Sequence, residues 1–75
     1  MTELKVKLAA INDVKEFVDI VNRYDFDCDI TVGKYVVDAK SIMGLFSLDL
    51  SKVLTLKLHT DNAGDLPVEI NKFTV

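Results

Sequence analysis

The chain has little of what marks a secreted, stapled or nucleic-acid-binding domain. Its one cysteine, Cys28, excludes an internal disulfide and suits a reducing compartment. One proline and three glycines leave no linker, low-complexity tract or glycine loop to cradle phosphate. Tryptophan is absent and His59 is the sole histidine, with no ligand spacing that would suit a metal. No apolar run is long enough for a signal peptide or a membrane span, so the expected location is the cytoplasm. Positive charge is sparse: nine basic residues lie scattered among twelve acidic ones, for a net charge of −3. That balance gives no footprint for DNA or RNA. A nucleophile paired with a base is missing too, which argues against an enzyme, and nothing calls for a cofactor.

What remains is a 75-residue chain, 49% hydrophobic and 28% charged, the profile of one compact domain over residues 1–75. Leu4, Val6 and Leu8 alternate with Lys5 and Lys7, which predicts a half-buried strand. Asp13 then reads as an N-cap with Glu16 three residues on, opening a helix that runs to about Arg23. Ile11, Val14, Phe17, Val18 and Val21 recur at helical spacing along it. Cys28, Ile30 and Val32 alternate in a second strand, Gly33-Lys34 suits a two-residue hairpin, and Tyr35 to Asp38 returns as a third. Val53 to His59 alternates again, burying Leu54, Leu56 and Leu58. In the tail, Leu66, Val68 and Ile70 suit a strand, whereas Asp65 as cap with Pro67 in the first turn suits a short helix, which is the reading adopted.

Between the third and fourth strands lies Lys40-Ser41-Ile42-Met43-Gly44-Leu45-Phe46-Ser47-Leu48-Asp49-Leu50, a short helix with Ser41 at its head. A serine there accepts a bond from an unpartnered N–H of the first turn. The apolar residues spread around more of this helix than one buried stripe needs. Leu45, Leu48 and Leu50 suffice to cover the sheet, which leaves Ile42, Met43 and Phe46 either as further core or as an exposed docking patch.

This segment resembles the serine-site region of the HPr phosphocarrier family, whose Lys-Ser-Ile-Met-Gly-x-x-Ser-Leu pattern is matched at every fixed position from Lys40 to Leu48. The resemblance implies an α+β fold, an open-faced β-sandwich of order β-α-β-β-α-β-α with three helices on one face of a four-stranded antiparallel sheet. It also implies that Ser41 is the target of an ATP-dependent kinase. Lys40, Ile42, Met43 and Phe46 would then meet protein partners: that kinase, enzymes of the sugar phosphotransferase system, or a transcriptional regulator. Family phosphocarriers take phosphate on a histidine within Gly-x-His-x-Arg-Pro, just before the first helix. Here the junction reads Ala9-Ala10-Ile11-Asn12-Asp13-Val14, with Ala10 where the imidazole would be and Asn12 where the arginine would be. In this the chain is similar to the catabolite-repression HPr paralogues, which lack the histidine and keep the serine.

The expected function is therefore a regulatory or docking protein that has lost histidine phosphotransfer and is regulated through Ser41. Two other readings stay open: a phosphocarrier using His59, and a self-associating domain without modification. Asp25-Phe26-Asp27-Cys28-Asp29 fails as a calcium loop, because Ile30 and Val36 stand where glycine and glutamate are needed. Cys28 points inward with Ile30 and reads as inert core. Oligomeric state is not legible.

Overall fold

A computed structural model describes all residues from Met1 to Val75. The order is β1 (Thr2–Val6), α1 (Ile11–Val21), β2 (Cys28–Val32), β3 (Tyr35–Asp38), α2 (Ile42–Phe46), β4 (Leu54–Leu58) and α3 (Leu66–Glu69), then a 3-10 turn at Asn71–Phe73. The strands form one antiparallel sheet in the order β1-β4-β2-β3. This is the expected open-faced architecture, with three helices over one face.

The period of two along each strand decides which face is covered. In β4, Leu54, Leu56 and Leu58 are fully buried beneath the helices, while Thr55 and Lys57 between them are only half-buried. The register sets Leu56 beside Leu4 on one side and Ile30 on the other. On the opposite face Lys57 lies between Glu3 and Asp29, opposite charges directly across the strands. Gly33 takes a φ of 57°, the left-handed conformation that the tight β2–β3 hairpin requires.

Several boundaries differ from expectation. The first strand spans Thr2–Val6 instead of Leu4–Leu8, yet Leu8 is still fully buried. The first helix closes at Val21, where the Asn22 side-chain amide donates to the Val18 carbonyl at 2.9 Å. Ile11, placed on the apolar stripe by spacing, is 64% exposed, and Ile20 is buried in addition. In the tail, Leu66 and Ile70 are buried at a spacing of four residues while Val68 is exposed, so helical periodicity prevails over alternation. Asp65 does not cap α3 through its side chain, since it already has helical backbone angles there.

No helix is long and apolar enough to cross a membrane. Leu56 sits at the centre of the packing, between neighbouring strands and under the helix layer. Leu56→Ala is expected to lower unfolding free energy by about 2–5 kcal/mol in urea denaturation, the cost of a core cavity.

Candidate functional site

Two helix heads merit comparison, and they are built differently. At α1 the N-cap is Ala10, in extended conformation, whose methyl group accepts no bond. Asp13 lies three residues inside the helix instead of capping it as expected. Its carboxylate reaches back so that Oδ2 accepts from the Ala9 and Ala10 amides at 3.0 and 3.3 Å. Asn12 is exposed on the first turn. A carboxylate thus occupies the positive end of this helix dipole.

At α2 the cap is Ser41. Its Oγ accepts from the Gly44 amide at 3.1 Å, and its carbonyl accepts from Leu45 at 3.1 Å. No acidic residue lies in the first turn of this helix. The segment leading into it is pinned from several sides. The Ala39 amide donates to the Cys28 carbonyl, the Lys40 amide to Asp38 Oδ1, and the Ser41 amide to the Asp38 carbonyl. Asn22 of the turn after α1 donates to the Lys40 carbonyl at 3.1 Å. Gly44 lies against β3, where a Cβ would stand 3.4 Å from both Val37 Cβ and Ser41 Oγ, at ordinary contact distance.

This seating decides the exposure of the candidate residues. Leu45 is fully buried, and Ile42 is half-buried against the core. Met43 is 75% exposed and Phe46 39%. The apolar surface of α2 is therefore narrower than the expected trio, with Ile42 serving as its base. Lys40 is half-buried, and its ammonium donates to the Tyr24 carbonyl at 2.7 Å. The lysine thus ties the helix head to the turn after α1.

Two features were invisible in the sequence. His59 Nε2 lies 2.6 Å from Asp29 Oδ2, at the rim of an open depression of about 370 Å³ lined also by Asp27, Cys28 and Asp38. Thirty residues of chain separate the pair, so only the β2–β4 register could have revealed it. Beside it, burial pushes the Cys28 thiol up to about 11, with Lys40 opposing the rise. A protonated, buried thiol is a poor nucleophile. Tyr24 is likewise pushed up to about 12, chiefly by its hydrogen bond to Glu69 of α3. Arg23 pairs with the same carboxylate at 3.4 Å.

The family model of the PTS HPr component phosphorylation site matches residues 11–68. Among solved structures, HPr-C-His from Thermoanaerobacter tengcongensis is similar with a TM-score of 0.78 and 22% identity, over 96% of this chain and 89% of that one. A phosphocarrier protein HPr from Bacillus anthracis str. Ames is similar with a TM-score of 0.73 and 22% identity, over 99% of this chain and 96% of that one. No curated protein matches.

Since Ser41 supplies a bond that the first turn of α2 otherwise lacks, Ser41→Ala should cost about 0.5–2 kcal/mol in denaturant titration. Ser41→Asp should recover most of that loss.

Proposed function

Because the chain belongs to the HPr component family of the sugar phosphotransferase system, we propose that it is a regulatory and docking member that does not relay phosphate on histidine. The observation that carries this reading is the head of α1. Ala10 offers no atom to phosphorylate, and Asn12 offers no guanidinium to clamp phosphoryl oxygens. The Ala9 and Ala10 amides, which could greet an anion, are already bonded to the Asp13 carboxylate. A second negative group arriving there would meet repulsion instead of a cradle.

The working surface is then α2. Ser41 takes phosphate from an ATP-dependent kinase of the cytoplasm, and Met43 and Phe46 provide the apolar contact, supported by Ile42 and held in place through Lys40. A phosphate adds about −2 charge at the positive end of the helix, so the modification leaves the fold intact and changes what docks. The partners are the serine kinase, sugar-transport enzymes or a transcriptional regulator.

One observation favours a second reading. Asp29 beside His59 is the arrangement by which a carboxylate orients an imidazole for nucleophilic work, and with Nε2 engaged the nitrogen left to carry phosphate is Nδ1. Incubation with phosphoenolpyruvate and the general phosphotransfer enzyme separates the two. The expected result is no acid-labile phosphate, with acid-stable phosphate from ATP and the kinase that is lost in Ser41→Ala. Acid-labile phosphate that vanishes in His59→Ala would establish the second reading and overturn the first. A companion measurement addresses the apolar face. Met43→Asp should leave stability within about 0.5 kcal/mol of wild type, as expected of an exposed position. It should slow phosphorylation of Ser41 by roughly tenfold or more through lost docking.

A further inference from the structure

The two edges of the sheet are treated differently by the chain. Along β1, Thr74 bridges Val6, the Lys7 amide donates to the Phe73 carbonyl at 2.8 Å, and the Val75 amide donates to the Lys5 carbonyl at 3.0 Å. The Val6 end of that edge is covered. β3 has no strand beyond it.

Which backbone groups β3 leaves unpaired follows from its register. Ile30 stands opposite Val37, Thr31 opposite Val36, and the Ala39 amide bonds to the Cys28 carbonyl. Bonded and non-bonded pairs alternate along an antiparallel ladder, so Tyr35 and Val37 turn their backbone groups toward β2. Val36 turns both of its own outward, as does the Asp38 amide. Tyr35 and Val36 are 63% and 65% exposed. Neither a proline nor a bulge interrupts these four residues, the devices by which sheet edges are commonly blunted.

Laid antiparallel against itself about Val36, this strand is self-complementary. Val36 meets Val36 of the second copy, with reciprocal amide–carbonyl bonds. Tyr35 meets Val37 on the helix side. On the open side Lys34 meets Asp38, so opposite charges face each other on both flanks of the two-fold axis. A slip of two residues sets Val36 against Asp38 or against Lys34 and loses both charge pairs, and a slip of four sets Asp38 against Asp38 or Lys34 against Lys34. We infer that β3 pairs with β3 of a second copy of this chain, making a two-fold dimer with one continuous sheet. The charge pattern selects that occupant and that register.

Sedimentation equilibrium of the full chain at concentrations up to about 1 mM tests this, a range that detects weak association. Wild type should show a concentration-dependent monomer–dimer equilibrium. Val36→Pro deletes only an outward amide, a substitution that edge strands accept, and should be monomeric with an unchanged circular dichroism spectrum. Lys34→Glu, in the exposed turn, should raise the dimer dissociation constant about tenfold by setting like charges face to face, and adding Asp38→Lys should reverse the loss. Lys34→Glu also decides the matter if Val36→Pro unfolds. A wild type that stays monomeric throughout would overturn the inference, and so would a dimer indifferent to Lys34→Glu.

Discussion

The burial of alternate leucines in β4 is the constraint from which the remaining structure follows. Leu54, Leu56 and Leu58 all lie on one side of the central strand, each worth about 1.5–3 kcal/mol when removed from water. Their other side carries Thr55 and Lys57, and the neighbouring strands present Lys5, Glu3 and Asp29 to the same surface. One face must therefore be roofed and the other left open. α1 supplies most of the roof, through Val14, Phe17, Val18, Ile20 and Val21. With α3 and the 3-10 turn closing one end by stacking Phe73 edge-on to Phe17, only a small gap is left above β3. A five-residue helix fills it, and Leu45 is its only fully buried side chain. Met43 and Phe46 remain exposed because the vacant area is smaller than the apolar content of the segment.

The helix heads show a related economy in electrostatics. A helix start bears partial positive charge and unpartnered amides, which either an internal group or an incoming anion must satisfy. In α1 Asp13 supplies a carboxylate from within the first turn and takes the bonds of the Ala9 and Ala10 amides just ahead of it. In α2 the solution is neutral, a single hydroxyl accepting one amide. The second head therefore keeps dipole charge that the first has cancelled. Against this, the nearby ammonium of Lys40 is already bonded to Tyr24 and the Asp38 carboxylate is bonded to the Lys40 amide. Charge added at Ser41 would accordingly be stabilised by the helix more than by side chains.

Patterns that depend on one element were readable from residues alone, and those that depend on two were not. Strict alternation in the fourth strand and helical spacing after Val14 carried the architecture, since burial on one face leaves that imprint wherever it occurs. Ser41 was readable as a cap because an apolar run begins immediately after it. Asp13 misled for a physical reason: a carboxylate at a cap bonds first-turn amides, one three residues inside reaches back to the amides at and before the cap, and the sequence does not say which residue holds which place. The bonds from Lys40 to Tyr24 and between His59 and Asp29 join distant positions through the register of strands and turns. Local periodicity holds no record of them.

Helix α2 lies against β3, with Gly44 next to Val37. Part of the exposed apolar surface lies within residues 35–46, with Tyr35 and Val36 on the strand and Met43 and Phe46 on the helix. Strand pairing between two copies would bring both α2 helices to the same side of the extended sheet, flanking the seam. A partner that needs wide access to Met43 would then compete with the second copy, whereas a small one would not. Because linked equilibria shift by mass action, such a partner draws the protein toward the single copy, and crowding of the chain draws it back. The shortness of α2 has this consequence because nothing else in the structure is available to cover that corner.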